Sequence, residues 1–292
     1  MDKPRAGLLG ASSPVGHRLL SRLTEAGYAV TAWSRKTGGG ERAQMRNVDW
    51  RLLPNDRPPE NSLPVWVCAA PIWTLPDYFT MIEAFGVRKI VAISSTSRFT
   101  KTDSSDAEER ATARRLADTE KRLQEWSERN GIQCVVLQPT LIYGDGRDKN
   151  VAEIARFIRR FGFFPVFGKA QGLRQPIHAD DLAQACVAAL TTGAAIPLYR
   201  TYVVSGGEAL PYREMAGRIF QALGKPARFL TVPLPVFRIA ARIARFHPRC
   251  RHWTLAMAER MNRDMAFSHS EAKRDFGFSP RPFRPGPNDV AG

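Results

Sequence analysis

Four groups of residues in this 292-residue chain have types and spacings suited to chemistry. The first is Gly10-Ala-Ser-Ser13-Pro14-Val-Gly16, lying between a short apolar run and a helix-like one. Holding a dinucleotide there takes a tight turn, outward-facing backbone amides and a helix N-terminus aimed at the pyrophosphate. Gly10 suits the turn and Gly16 suits close helix–sheet packing. Ser13 stands where a third glycine usually lets the backbone approach the phosphates, yet it is a good N-cap, and Pro14 fits the first helical position. A plain structural turn accounts for this motif equally well.

The second group is Ser34-Arg35-Lys36, at the end of the second apolar run. A carboxylate here would bind the ribose hydroxyls of NAD, whereas arginine accommodates a 2′-phosphate, so NADP is favoured, with NAD open. An exposed basic loop is the alternative. The third group is Ser94-Ser95-Thr96, hydroxyls that either serve a reaction or form a turn, with Arg98 and Lys101 just beyond, within reach of an anionic substrate or simply solvated. The fourth is the aromatic stretch Phe161–Lys169 with Arg174 close behind. A planar guanidinium forks onto phosphate oxygens, so Lys169 and Arg174 suit a small phosphorylated substrate, against a reading of core phenylalanines and solvated cations.

The elements that must position these groups alternate in period. Ala6–Gly10, Ala29–Trp33, Val65–Ala69, Lys89–Ser94 and Gln133–Leu137 read as short buried strands. Gly16–Ala26, Leu75–Phe85 and the long stretch Asp106–Asn130 read as helices between them. Strand and helix in alternation indicate a parallel sheet with helices on both faces. Arg51–Leu63 reads as a loop. In the second half Val151–Phe161 and Leu182–Leu190 read as helices, Asp180 and Asp181 supplying an acidic first turn, and Tyr202–Val204 as a late strand. The proline-rich tail from Gly277 is expected to wrap the surface.

Later motifs complete a pattern. Ile90-Val-Ala-Ile-Ser94-Ser95-Thr96, Leu137-Gln138-Pro139-Thr140-Leu-Ile-Tyr143-Gly144, Arg174-Gln-Pro-Ile-His178-Ala-Asp180-Asp181, Tyr202-Val-Val-Ser-Gly206-Gly207-Glu208 and Ser268–Phe283 occur in that order. Together they resemble the NAD-dependent epimerase/dehydratase family, the extended and atypical short-chain dehydrogenase/reductases. The resemblance implies an α/β fold: a doubly wound parallel Rossmann sheet with a smaller mixed C-terminal lobe. Residues 1–150 would form the NAD(P)-binding half and 151–292 the substrate side, with 175–205 returning to the sheet. It implies cofactor contacts from Gly10, Ser12, Ser13, Val15, Gly16, Ser34, Arg35, Ala70 and Pro139. Tyr143, Lys169 and Arg174 would face the substrate, and Ser94, Ser95 or Thr96 would orient it. In active members a Tyr-x-x-x-Lys pair does the chemistry. If Glu120 aligns with the glutamate that usually follows the lysine, Thr112 and Leu116 stand where Tyr and Lys are expected. Packing of His178 against the sheet is favoured over a catalytic role.

Composition narrows the classes further. The net charge of +15 is uneven: residues 1–146 carry 20 basic and 17 acidic side chains, and residues 147–292 carry 23 and 11. Within 225–263 there are nine basic residues and one acid, and Arg238, Arg242 and Arg245 share an arc of about 60° on a helical wheel. Such a segment suits either solvent or the peripheral surface of an anionic membrane. No recognised nucleic-acid motif is present, so no nucleic acid is expected. Cys68, Cys134, Cys186 and Cys250 form no CxxC pair; buried free thiols and no metal are expected. With no apolar leader and no run of about 18 apolar residues, a cytoplasmic protein is expected, peripheral at a membrane if the basic segment binds lipid. The enzyme reading is an oxidoreductase or epimerase for a nucleotide-linked sugar or similar phosphorylated compound. The competing one is a non-catalytic NADP(H) sensor or a structural subunit at a membrane surface.

Overall fold

The computed structural model describes residues 3–35, 48–53, 61–148, 150–193, 196–237 and 255–291. The central sheet has seven parallel strands: β1 (Arg5–Leu9), β2 (Ala29–Ser34), β3 (Val48–Leu52), β4 (Val65–Cys68), β5 (Lys89–Ile93), β6 (Gln133–Pro139) and β11 (Tyr199–Val204). Their order across the sheet is β11-β6-β5-β4-β1-β2-β3, so the chain reverses direction of growth between β1 and β4. In a doubly wound sheet this switch point opens the crevice where ligands bind, beyond the carboxyl ends of the strands. Strands covered on both faces must be near-continuously apolar, and β5, Lys-Ile-Val-Ala-Ile, is buried throughout.

Helix α1 (Pro14–Glu25) lays Leu19, Leu20 and Leu23 on one face of the sheet beside α6 (Ala179–Thr191), which contributes Leu182, Ala183 and Cys186. On the other face α4 (Ala107–Asn130) buries Leu116, Leu123 and Trp126 against Trp66, Ile90 and Val136. The stretch expected as one helix over Leu75–Phe85 is instead a 3-10 turn, Ile72–Tyr78, followed by α2 (Phe79–Ala84). Pro76, which has no backbone N–H to donate, lies inside that turn and disfavours a continuous α-helix.

Two segments not read as strands contain them. β3 overlaps the start of Arg51–Leu63 and occupies the sheet edge, where partly exposed Asp49 and Arg51 break the apolar signal. Within Phe161–Lys169, β8 (Phe164–Phe167) pairs in parallel with β13 (Phe229–Val232). These belong to a second core built from Ile154, Ile158, Phe167, Met215, Phe220 and Phe283, over which α5 (Val151–Phe161) and α7 (Tyr212–Ala222) pack. The proline-rich tail is anchored in the fold as well as lying on it: Phe283 and Val290 are buried, and Arg281 binds Asp180 and Asp181. Cys68, Cys134 and Cys186 are buried free thiols, and Cys250 lies outside the described residues. No helix among the described residues is long and apolar enough to cross a membrane.

Candidate cofactor and substrate site

The turn after β1 is built backbone to backbone. Gly10 has φ +80°, and a Cβ there would lie 2.3 Å from the Ala70 nitrogen and 2.6 Å from the Ala69 carbonyl carbon, atoms just past the end of β4. A Cβ on Gly16 would lie 2.2 Å from the Gly10 oxygen, so α1 starts directly against the turn. Ser13 caps α1, its Oγ accepting from the Gly16 amide at 3.0 Å and donating to the Ala69 carbonyl at 3.3 Å. Ser12 is exposed beside it and Val15 is buried beneath. The serine at the third-glycine position thus ties the turn to β4 while leaving the helix N-terminus facing the crevice.

Ser34 ends β2 and is buried, whereas Arg35 is exposed; Lys36 lies outside the described residues. Pro139 closes β6 and is buried. Its carbonyl accepts from both the amide and the hydroxyl of Thr96, each at 3.0 Å. Ser95 accepts from the Ser97 amide at 3.0 Å. Each of these hydroxyls therefore already serves the local fold, and Ser95 keeps its proton to donate.

Ser94 belongs to an arrangement that the sequence did not disclose. Its hydroxyl donates to Glu120, a carboxylate only 1% exposed inside the sheet–helix layer. Arg98 reaches the same carboxylate from α3 (Ser97–Thr100), and Gln138 on β6 donates to it at 3.0 Å. Taking a carboxylate out of water is costly unless charge and hydrogen bonds compensate, and Ser94, Arg98 and Gln138 supply both. The available signal was a lone acid four residues after Leu116 on the buried face of α4. Leu116 itself is 2% exposed in the apolar core, and the Thr112 hydroxyl donates to the Glu108 carbonyl at 2.9 Å.

The expected substrate residues are dispersed. Tyr143, on β7 (Ile142–Tyr143), is 1% exposed and packs edge-on against His178 and Phe283. Burial pushes its phenol well above the usual tyrosine range, with Asp289 and Asp181 adding to the shift. The adjacent strand β10 (Ile177–His178) holds His178, whose Nδ1 accepts from the Asp180 amide at 3.1 Å. Its Nε2 therefore carries the proton directed at Asp289, 3.2 Å away. His178 thus caps α6 and packs on Tyr143. Lys169 is exposed on the turn after β8. Arg174, on β9 (Leu173–Arg174), is 5% exposed and donates to the carbonyls of Leu173 at 2.7 Å, Arg263 at 3.0 Å, and Arg260. Burial lowers its pKa to about 10; the Arg260 charge adds to this, while Tyr212 and Asp264 oppose it. Its donors point at the protein's own backbone. A cleft of about 640 Å³ lies elsewhere, lined by Gly207, Glu208, Arg218, Gln221, Pro282 and Arg284 among others. None of the expected site residues lines it, and Arg218 there is already paired with Glu208 and Glu214.

Comparison with known proteins agrees with this architecture. Residues 78–205 match the NAD dependent epimerase/dehydratase family. A 2-alkyl-3-oxoalkanoate reductase of Stenotrophomonas maltophilia is 30% identical over 159 residues, covering 51% of this chain and 48% of that protein. A UDP-glucose 4-epimerase of Vibrio cholerae is 24% identical over 143 residues, covering 49% and 43%. The chain thus spans about half the length of the curated relatives it matches. Among solved structures, a variant UDP-glucuronic acid 4-epimerase from Bacillus cereus, in complex with UDP-4-deoxy-4-fluoro-glucuronic acid and NAD, superposes with a TM-score of 0.69 at 15% identity. That match covers 98% of this chain and 96% of the other. With these matches together, residues 78–205 are similar to the NAD-dependent epimerase/dehydratase family, and the chain shares the fold of its solved members.

Proposed function

We propose that this protein binds NAD(P) at the β1/β4 switch point and acts as an oxidoreductase or epimerase on a nucleotide-sugar or other phosphorylated substrate, by a route without the Tyr/Lys pair. The observation that carries the reading is the Gly10–Ala70 contact. There the turn packs directly on the backbone just past β4, with the N-terminus of α1 behind it and Ser13 tying turn, helix and strand together. These residues fit a dinucleotide: the turn and Ser13 would receive the pyrophosphate, and Ala70 and Pro139 would border the nicotinamide side. A bound nicotinamide would supply the hydride acceptor or donor. Exposed Arg35, at the end of β2, supports NADP over NAD through contact with the 2′-phosphate.

The test is thermal stability with each nucleotide. A ligand at about 100 times its Kd stabilises the native state by about 2.7 kcal/mol, which raises Tm by about 4 °C in a chain of this size. NADPH should give the larger shift, and no shift with either nucleotide removes the cofactor assignment.

One observation favours a second reading, a non-catalytic NADP(H)-binding protein. Neither Thr112, bonded to the helix backbone, nor Leu116, packed in the core, offers an ionisable group. Hydride transfer from labelled NADPH to a 2-alkyl-3-oxoalkanoate, and from C-deuterated UDP- and dTDP-sugars to NADP+, separates the two. Transfer above buffer supports the enzyme; its absence across the panel, with NADPH bound, supports the binder.

A further inference from the structure

The loop after β5 and the first turn of α4 lie at the carboxyl edge of the sheet, where ligands of this architecture bind. There they also touch the C-terminal lobe, although Asp103 and Ser105 remain exposed. The segment from 97 to 109 is joined to the segment 259–267 of the C-terminal lobe at several points. Ser105 donates to Glu259 at 3.3 Å, Arg263 lies 3.9 Å from Asp103, and Phe99 and Phe267 have ring centroids 6.3 Å apart. At the centre is Glu109, whose side chain is 14% exposed. One of its oxygens meets both Lys101, at 3.5 Å, and Arg260; the other accepts from Ser104 at 2.7 Å. Arg174 holds the Arg260–Arg263 turn in place through two of its carbonyls and brings a third positive charge close to Arg260.

Two cations and a hydroxyl converging on one oxyanion form a site of the kind that receives phosphate. We propose that Lys101, Arg260 and Ser104 form an anion site for a phosphate-bearing substrate, and that Glu109 occupies it as a tethered competitor until the substrate displaces it. The proposal rests on the phosphorylated-substrate reading above. Displacement would free Arg260 from α4 and separate the two lobes at the crevice mouth, so the internal carboxylate both keeps the site closed and weakens the binding of anions.

Calorimetric titration of the full chain with inorganic pyrophosphate tests this. If the latch is closed about nine-tenths of the time, the apparent affinity is reduced about tenfold. Glu109→Gln should then bind pyrophosphate about tenfold more tightly than the unaltered protein. Arg260→Ala should bind about tenfold more weakly, through loss of one charge-assisted contact. UDP should compete with pyrophosphate and NADPH should not, because the phosphates of NADPH would sit at the Gly10–Gly16 turn. Equal or weaker binding by folded Glu109→Gln overturns the latch. Competition by NADPH, with no effect of Arg260→Ala, places pyrophosphate at the turn and overturns the site. Should either variant fail to fold, hydrogen exchange of the unaltered protein decides: pyrophosphate should change the rates over both 97–109 and 259–263, and no change in either segment sinks the proposal. NADPH binding, followed separately by fluorescence, stands or falls independently and reports on the cofactor assignment alone.

Discussion

Gly10 and Ala70 meet with no room for a side chain between them: a Cβ on Gly10 would lie 2.3 Å from the Ala70 nitrogen. This contact joins the turn after β1 to the end of β4 across the switch point. Gly10→Ala should therefore lose both the NADPH-induced thermal shift and about 2 kcal/mol or more of stability, from the clash and from the positive φ together. Gly27→Ala is the control. It has φ +87° but nothing within 4 Å of the added carbon, so it should show only the backbone strain and keep nucleotide binding. Urea unfolding and thermal shift read both; equal loss of binding in the two variants would dissociate the contact from cofactor binding.

Arg35 is exposed just past the end of β2. Arg35→Ala should leave NADH binding nearly unchanged and weaken NADPH binding by about tenfold or more, erasing the preference. Fluorescence titration of both nucleotides measures it. A variant that retains the preference moves the 2′-phosphate contact elsewhere.

Glu120 is the shared acceptor of Ser94, Arg98 and Gln138. Glu120→Gln keeps the shape but leaves the Arg98 guanidinium without its counter-charge. Because the Arg98 side chain is 34% exposed, the cost should fall below that of a fully buried pair, at about 2–3 kcal/mol. Adding Arg98→Met to Glu120→Gln should recover part of that loss in urea unfolding. A double variant that is additively worse would show that the pair is not the unit of stability.

The tail is fastened to α6 through Asp180, which accepts from Arg22 at 2.9 and 2.8 Å and from Arg281 at 2.8 Å. The hydrogen bond from Arg22, aided by Arg281 and opposed by burial, lowers the Asp180 carboxyl from 3.8 to about 2. A depressed folded-state pKa contributes stability that is present above the usual carboxyl range and lost as pH falls through the folded value. Asp180→Asn should thus be less stable than the unaltered protein at neutral pH, and the gap should close between about pH 4 and about pH 2. A gap that is constant across that window in urea midpoints would rule out this linkage.

The basic segment 225–263 reads as suiting either solvent or anionic lipid, and its arginines Arg238, Arg242 and Arg245 lie outside the described residues. Co-sedimentation with vesicles containing anionic lipid should be salt-sensitive and should weaken when these three are neutralised together. Equal sedimentation with neutral vesicles counts against it.

The sequence by itself determined the β–α alternation, while the strand order that places the crevice came from the tertiary structure. Strands buried on both faces cannot carry polar residues at every second position, so β1, β2, β4, β5 and β6 stand out as apolar runs. The Ser13 cap and Pro14 likewise announce where α1 begins, because capping is local chemistry. The edge strand β3 stayed hidden, since its partial exposure removes that constraint. Only the tertiary structure decided what the charged and hydroxyl side chains do. Ser94 meets Glu120 across 26 residues, Arg260 meets Glu109 across 151, and Arg174 gives its donors to backbone carbonyls 86 and 89 residues away. Periodicity reports which face of an element is buried. Which partner a buried polar group finds depends on the path of the whole chain.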